Sequence, residues 1–280
     1  MHTWAHGFFY LWFMNTANYY AHKVIWITGA SSGIGAELAR QLARNGALLV
    51  LSSRDENKLK TLAETLENHQ QHFVLPLDLG SIENEGTYVE QIMAKFGRID
   101  ILINNGGVSQ RASAMETSME VNRQLMEVNF FGNIALAKAV LPVFRSQDSG
   151  QYLVVSSIAG KFGFHLRSIY SASKAALVGY YESLAMEEAS YGIKVTLAFP
   201  GKIQTPISKS ALTANGAAHG QMDDNQAGGM PVEACVRQML KALAQQKREV
   251  LIGRKELIAV YLKRFFPRLF WKIIPGQSAT

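Results

Sequence analysis

The sequence predicts an α/β protein: a single domain built on a doubly wound parallel sheet of about seven strands. Short runs rich in β-branched residues alternate with stretches of helical periodicity, the pattern of repeated strand–helix units. A glycine-rich turn follows the first of these runs. The 280 residues, 48% of them hydrophobic, suit one large domain, and no linker, charge block or internal repeat divides them.

The first unit is the most readable. Val24–Thr28 is a short β-branched run typical of a buried strand, and the pattern T-G-x-x-x-G-x-G follows it through Gly29, Gly33 and Gly35. A helix then continues to Gly46, and "ALLVLSS" forms a second strand. Glycines let a backbone approach a pyrophosphate, and a helix N-terminus supplies amide donors to it. The unit therefore predicts a dinucleotide site, with a ligand-free glycine turn as the alternative.

The later elements continue the alternation. Strands are predicted at residues 72–78, 99–105, 151–157, 193–199 and 249–253, with helices at 81–96, at 118–145 and around Tyr170. Ligands of such sheets bind beyond the carboxyl ends of the strands. Those ends carry Asp78, Asn104, Asn105, Ser156, Ser157 and Pro200. The seven histidines show no metal-ligand spacing, so no metal site is expected, and the single Cys235 excludes an internal disulfide.

Tyr170 and Lys174 lie one helical turn apart in "IYSASKAALVGYYESLA". Residues at positions i and i+4 share a helix face. A cation near a phenol favours the phenolate, so the pKa of Tyr170 is expected to fall below its usual value of about 10. Such a phenol can act as a general acid or base near neutral pH. A chance pair on a surface helix is the alternative, and the pair alone does not decide between the two.

The joint order of the motifs resembles the short-chain dehydrogenase/reductase family from about residue 23 to residue 253. The matches are "TGASSGIG", Asp78 after the third strand, "NNGG" at 104–107, Asn129 in "VNFFG", Ser157, "YSASK" at 170–174 and "PGKIQT" at 200–205. "NNGGVSQR", "SSIAGKFGF" and the basic C-terminus look most like the member-seven-like branch. The family usually has alanine where this chain has Gly106, and the glycine is expected to loosen the turn near the adenosine ribose.

The resemblance implies a Rossmann-type fold and a catalytic set. Tyr170 would exchange the proton with the substrate oxygen, and Lys174 would lower its pKa and bind the nicotinamide ribose. Ser157, rather than its neighbour Ser156, would bind the carbonyl oxygen, and Asn129 would shape its helix and hold a water. The implied cofactor contacts are Gly29, Ser31, Ser32, Gly33, Ile34, Gly35, Ser53, Arg54, Asp78, Leu79, Asn105, Gly106, Tyr170, Lys174, Pro200, Gly201, Ile203 and Thr205.

The end of the second strand indicates NADP(H), with NAD(H) as a possible substitute. An acidic residue there would favour NAD, but Ser53 takes that place and Arg54 follows it. An arginine can meet a 2′-phosphate with a planar charged fork. Asp55 could be mistaken for the acidic determinant through a slip in alignment, and Arg54 as an ordinary solvated charge is the alternative reading.

The family likeness also implies partners. Residues 206–230 are expected to form a lid over a small, lipophilic carbonyl or alcohol substrate. Phe162, Phe164 and His165 could line its pocket or pack in the core. A homodimer or homotetramer is expected through the helices that begin near Ser118 and Tyr170. A nicotinamide-binding sensor or scaffold without turnover is the rival function.

Both ends of the chain differ from the body. Residues 1–22 include the apolar run "GFFYLWFM", which is too short to span a bilayer. It could be a membrane-surface anchor, a packing segment or a non-native extension ahead of a true start at Met14. From residue 241 onward there are nine Lys/Arg and two Asp/Glu, whereas the rest holds 19 and 20, so a general nucleic-acid-binding surface is not expected. Residues 254–280 form a basic amphipathic segment that could touch a membrane or cover a protein interface. A cytoplasmic protein is expected, with membrane association as the alternative.

Overall fold

The computed structural model describes residues 19–276. Seven parallel strands form one sheet in the order β3-β2-β1-β4-β5-β6-β7, the doubly wound arrangement predicted from the alternating pattern. The strands are β1 Val24–Thr28, β2 Leu48–Ser52, β3 Phe73–Val74, β4 Ile101–Asn104, β5 Gly150–Val155, β6 Ile193–Pro200 and β7 Glu249–Ile252.

Helices cover both faces of the sheet. They are α1 Gly33–Arg44, α2 Glu56–Glu64, α3 Glu85–Phe96, α4 Met119–Met126, α5 Gly132–Ser146, α6 Ser168–Glu187, α7 Asp224–Ala227, α8 Val232–Ala244, α9 Ile258–Phe265 and α10 Pro267–Ile273. Side chains from α1, α2 and α8 build the core on one face, and side chains from α3, α5 and α6 build it on the other. Strands buried on both sides explain the near-continuous apolar runs in the sequence.

The third strand is shorter than the predicted segment 72–78. Its regular pairing with β2 ends at Val74, and Pro76, which has no amide hydrogen, is tolerated on this edge strand because its neighbours Leu75 and Leu77 face β2. The chain nevertheless stays beside β2, because the amides of Leu75 and Leu77 donate to the carbonyls of Leu51 and Ser53 at 2.9 and 3.1 Å. The segment therefore still delivers Asp78 to the carboxyl edge of the sheet.

The predicted long helix 118–145 contains a π-helical turn. Residues Glu127–Phe131 separate α4 from α5, and Asn129 lies inside this turn with its side chain fully buried. The side-chain amide of Asn133 donates to the carbonyls of Val128 and Asn129, both at 3.0 Å. It thereby satisfies backbone carbonyls that the wider turn leaves without helical hydrogen bonds. Among the described residues, Met119–Ser146 is the one helix that is long and apolar enough to cross a membrane by length and composition. It passes this test while 44% of its apolar window is buried against the rest of the fold, as a core helix does.

The packed body of the protein starts earlier in the chain than the sequence indicated. The "GFFYLWFM" run lies outside the described residues. Tyr20, which the sequence placed in the apolar extension, is fully buried and donates to the Leu240 carbonyl at 2.6 Å. Tyr19 donates to the Gln151 side chain at 2.8 Å, so the packed body begins ahead of residue 23.

Candidate active site

The glycine turn after β1 lies directly against the loop after β4. Gly29 has φ of +63°, and a Cβ there would lie 2.8 Å from the Gly106 Cα. A Cβ on Gly35 would lie 2.1 Å from the Gly29 carbonyl oxygen. The Thr28 hydroxyl accepts from the amides of Asn105 and Gly106 at 3.1 and 3.0 Å, which fixes the two loops together. Only glycine fits these positions, and the backbone is left open for close approach of a ligand.

The N-terminus of α1 opens beside this turn. Ser32 is the exposed N-cap residue, and its side chain makes no capping hydrogen bond. The first amides of the helix, which include Gly33, Ile34 and Gly35, therefore lack a side-chain cap, and they carry the positive end of the helix dipole. Thr205, after β6, lies across from them, since a Cβ on Gly33 would be 3.3 Å from its Cβ. The turn with Ser31 and Ser32 thus fits a pyrophosphate.

A cavity of about 350 Å³ lies where the segments after β2 and β3 meet α4 and the π-helical turn. Arg54, Asp78, Arg123 and Val128 are among its lining residues. Asp55 instead caps α2, since its carboxylate accepts from the Lys58 amide at 3.0 Å and pairs with the Lys58 ammonium at 2.7 Å. Asp55 is therefore engaged in a helix cap, and the cation Arg54 faces the cavity. The cavity suits the adenosine end of a dinucleotide.

Gly106 does not leave the empty space expected from the missing methyl group. A Cβ at this position would lie 2.4 Å from Leu79 Cδ1 and 3.3 Å from the Thr28 hydroxyl. The Leu79 side chain, which is 7% exposed, therefore fills the place of the alanine methyl. The turn is tightly packed, because a neighbour has taken up the volume.

Tyr170 lies buried in the first turn of α6, and the Ser157 hydroxyl is near enough to its phenol to lower the pKa of Tyr170. Ser157 follows β5, and its hydroxyl also contacts the Pro200 carbonyl at 3.3 Å. Ser156 points the other way and donates to the Lys174 carbonyl at 2.9 Å. The alternation of side chains after a strand thus puts Ser157 on the side of the Tyr170 phenol and Ser156 against the backbone of α6.

Lys174 and Asn129 complete the group of polar side chains around Tyr170. The Lys174 ammonium is buried and donates to the Val155 carbonyl at 2.9 Å. Asn129 accepts from the Val108 amide at 2.8 Å and donates to the Ser173 hydroxyl at 3.0 Å, so it ties the π-helical turn to α6. A Cβ on Gly107 would meet both groups, at 2.9 Å from Asn129 Oδ1 and 3.4 Å from Lys174 Nζ. The four expected catalytic side chains therefore lie together at one edge of the sheet.

The electrostatics of this group differ from the expectation in one respect. Burial raises the pKa of Tyr170 above 10, and the nearby Arg167, the Ser157 hydrogen bond and Arg111 only partly oppose that rise. The Lys174 ammonium lies 5.9 Å from the centre of the Tyr170 ring and is directed at a backbone carbonyl. Burial lowers the pKa of Lys174 to about 8. The prediction that Lys174 lowers the Tyr170 pKa below its usual value was therefore wrong for this arrangement, because desolvation outweighs the charges.

The segment after β6 closes the site from the far side. Gly201 donates to the Ile252 carbonyl at 2.7 Å, and a Cβ on it would lie 2.4 Å from the Glu256 carboxylate. Ile203 is buried and forms a bridge to Met230, which closes the base of the loop 206–230. Within that loop, Leu212 pairs with Gln110 of the loop after β4. Phe162, a candidate pocket residue, is only 4% exposed and packs edge-on against Phe270 in the core.

Sequence reasoning missed a set of polar residues around Tyr170 and the cavity. Gln110 is fully buried, and its Oε1 accepts from the first-turn amides of Ile169 and Tyr170 at 3.0 and 3.4 Å. The others are Arg111, Arg123, Arg167 and Asp223, which lie on loops and on α4 without any spacing that would mark them in the sequence. Among the described residues, no three His, Cys, Asp or Glu side chains converge to hold a metal ion.

Comparisons with known proteins agree with this geometry. Residues 23–216 match the family model of the short chain dehydrogenases. The chain is 38% identical over 274 residues to dehydrogenase/reductase SDR family member 7B of Xenopus laevis, covering 95% of this chain and 84% of the relative. It is 39% identical over 257 residues to human member 7, covering 89% and 76%.

Solved structures show the same fold. A short-chain dehydrogenase from Streptomyces avermitilis superposes with a TM-score of 0.78 at 26% identity, over 92% of this chain and 98% of the other. A short-chain dehydrogenase/reductase from Burkholderia phymatum, in complex with NAD, superposes with a TM-score of 0.80 at 22% identity, over 93% and 99%. The chain belongs to the short-chain dehydrogenase/reductase family, in the branch of members 7 and 7B, and is an oxidoreductase that acts on CH–OH and C=O groups with a nicotinamide cofactor.

Proposed function

We propose that this protein interconverts a carbonyl and an alcohol on a small, lipophilic substrate, with NADP(H) as cofactor and Tyr170 as general acid and base. The observation that carries this proposal is the buried phenol of Tyr170, which lies near the Ser157 hydroxyl and is followed one turn later by Lys174. A titratable group in a dry site, beside a hydroxyl and an ammonium, is what proton transfer to a substrate oxygen needs.

The residues divide the work as follows. The nicotinamide, when bound, supplies or accepts the hydride. In the direction of reduction, the Tyr170 phenol donates its proton to the substrate oxygen while Ser157 donates a hydrogen bond to the same oxygen and stabilises its developing charge. Lys174 would hold the ribose next to the nicotinamide. Asn129 fixes α6 relative to the π-helical turn and keeps these groups in register.

The raised pKa of Tyr170 favours one direction at neutral pH. A phenol whose pKa lies above its usual value is protonated at pH 7 and is ready to act as an acid. Carbonyl reduction uses the phenol, whereas alcohol oxidation uses the phenolate. We therefore expect reduction to proceed near neutral pH and oxidation to accelerate as the pH rises.

Tyr170→Phe tests the proposed role of the phenol. The variant should bind NADPH as the wild type does, because only a hydroxyl is removed, but turnover of a panel of ketones and aldehydes should fall by about a hundredfold or more. Tyr180→Phe is the matched control, since Tyr180 lies on the same helix against Phe130. Undiminished turnover in Tyr170→Phe would disprove the role. Cofactor binding that never leads to turnover in the wild type would instead support the sensor alternative.

The cofactor preference is supported by the cavity at Arg54. The Arg54 side chain lines the cavity, and the end of β2 just before it carries no acidic residue. The nearby Asp55 carboxylate caps α2. Arg54→Leu should weaken NADPH binding by about tenfold to a hundredfold and leave NADH binding nearly unchanged, since only NADPH carries the 2′-phosphate. Arg40→Leu, on the exposed side of α1, is the control. Equal losses for NADPH and NADH, measured by fluorescence titration, would contradict the preference.

The C-terminal helices support a second proposal, that the protein rests on an anionic membrane surface. Seven of the thirteen large hydrophobic side chains exposed in the described chain lie between residues 258 and 273. They are Ile258, Tyr261, Phe265, Phe266, Leu269, Trp271 and Ile273. Lys263, Arg264, Arg268 and Lys272 are interspersed among them, and Phe270 alone is buried as an anchor in the core. Exposed aromatic and basic side chains on one short amphipathic surface suit the interface of an anionic bilayer.

Vesicle flotation tests this surface. Replacement of Phe265, Phe266 and Trp271 by serine should abolish binding to phosphatidylserine-containing vesicles while the anchor Phe270 keeps the helices in place. Replacement of Met115 and Met186, which are 98% and 67% exposed elsewhere, is the matched control. If the serine variant floats like the wild type, the surface does not bind membrane. If it changes the subunit number instead, the surface is a contact between copies.

A homodimer or homotetramer is proposed through α4, α5 and α6. Phe131 is 48% exposed beside Phe130, which packs edge-on against Tyr180 of α6, so an aromatic patch joins the two helices on the outside of the fold. Light scattering should report a multiple of the 31.0 kDa chain mass. Phe131→Glu should then shift the protein towards the monomer, and a wild type that is already monomeric would refute the contact.

A further inference from the structure

A buried group of charges lies at the start of α6, the helix that carries Tyr170. The Arg111 side chain is 3% exposed and forms an ion pair with Asp223, whose side chain is 1% exposed. Arg167 also reaches Asp223, at 3.4 Å, and its side chain is 17% exposed. Buried charges are costly unless they are paired, so the arrangement holds two guanidiniums in fixed positions around one carboxylate.

The group joins three separate parts of the site. Arg111 follows Gln110, whose side chain accepts from the Tyr170 amide at 3.4 Å. Arg167 is the N-cap residue of α6 and lies three positions ahead of Tyr170, so the two share one turn. Asp223 belongs to the loop 206–230, and its amide donates to the Ser208 hydroxyl at 3.3 Å. The backbone of Arg111 also donates to Leu212 of that loop at 2.8 Å.

We propose that Arg111 and Arg167 are positioning residues of the reaction, which Asp223 holds beside Tyr170 so that their positive charge favours its phenolate. The inference rests on the proposed role of Tyr170 and assigns to these two arginines the electrostatic role that the sequence assigned to Lys174. Arg167 and Arg111 both lower the pKa of Tyr170 against the larger effect of burial.

The other charged groups around this part of the site each have a different partner. On α6 itself, Lys174 donates to the Val155 carbonyl. From the loop 206–230, the carboxylate of Asp223 opposes the effect but is engaged by the guanidiniums, and His219 lies 3.8 Å from it. After β5, Lys161 is directed to Glu249 at 2.7 Å. Of these cations, Arg167 and Arg111 are the two whose charge lowers the pKa of Tyr170.

Arg167→Met tests the proposal, because it removes the charge and keeps much of the stem volume. The ionisation of Tyr170 is measured by tyrosinate ultraviolet absorbance, as the difference between each protein and the same protein carrying Tyr170→Phe. Tyr170 should titrate about one pH unit higher in Arg167→Met, which is about a tenfold smaller phenolate fraction at a given pH. Arg167→Lys, which keeps the charge, should titrate close to the wild type.

Arg145→Met is the control for loss of an arginine, since Arg145 pairs with Glu188 at the other end of α6. Arg167→Gln serves as the second variant if the methionine variant does not fold, and the same upward shift is expected. An unchanged Tyr170 titration in either variant, or an equal shift in Arg167→Lys, would overturn the proposal. The titration requires no turnover, so it stays separate from the activity test of Tyr170→Phe.

Discussion

Asp223→Asn should destabilise the folded protein more than Arg111→Met, although both substitutions break the same ion pair. Asparagine keeps the shape of the side chain but removes its charge, which leaves the buried guanidinium of Arg111 facing a neutral group. Arg111→Met leaves the carboxylate of Asp223 with Arg167 at 3.4 Å and His219 at 3.8 Å. The loss of one partner from a buried pair costs about 3–5 kcal/mol. We place Arg111→Met near the lower end of that range and Asp223→Asn near the upper end.

Urea unfolding measures the two costs, and hydrogen exchange shows where they act. If the loop opens locally, the amides of Arg111 and Leu212, which bond the loop 206–230 to the loop after β4, should exchange faster in both variants. Lys60→Met, which removes one partner of an exposed helical pair with Glu56, should behave as the wild type does. The reasoning is refuted if Arg111→Met costs as much as Asp223→Asn, or if neither variant changes unfolding or exchange.

Three further predictions follow from burial and packing. Burial lowers the Lys174 pKa to about 8 in the folded protein, so this lysine opposes folding below that pH and ceases to do so as the pH rises towards its unfolded value of about 10.5. Lys174→Met should therefore stabilise the cofactor-free protein by up to about 3 kcal/mol at pH 7, and urea unfolding should show the gain shrinking between pH 8 and 10. Gly106→Ala should lower the free energy of unfolding by about 1–3 kcal/mol in the same assay, because the new Cβ meets Leu79. Gly179→Ala, in open space on α6, is the control and should raise the free energy of unfolding by about 0.5–1 kcal/mol. Equal effects of the two substitutions would contradict the packing argument. Burial raises the pKa of Cys235 to about 12, so a thiol reagent should label it in urea and not in the native protein.

The sheet could be predicted because its information is local. The buried strands are continuous apolar runs, and each helix between them has its own period and stop signal, as with Val24–Thr28 and the helix that ends before Gly46. Asp78, Ser157 and Pro200 could be placed at one edge because the carboxyl ends of parallel strands must meet there.

The remaining features depend on distant partners. The extent of β3 depends on where its pairing with β2 ends, and the filling of the Gly106 space depends on the reach of Leu79. The raised pKa of Tyr170 depends on how completely the folded chain excludes water. The pairing of Arg111 with Asp223 joins residues 112 positions apart, and no periodicity in the sequence encodes it.

The number of residues in the π-helical turn Glu127–Phe131 matters as much as which residues they are. Residues in an α-helix are about 100° apart around the axis, so deletion of one residue from the turn would rotate one half of the helix by about that angle relative to the other. Asn133 would then leave the Gly106 carbonyl that it bonds at 3.3 Å, and the loop carrying the cofactor contacts would lose its tie to the helix. Deletion of one residue from this turn should therefore destabilise the fold and the cofactor site more than most single substitutions in it. Alignments of relatives should accordingly place their gaps in the loops on either side.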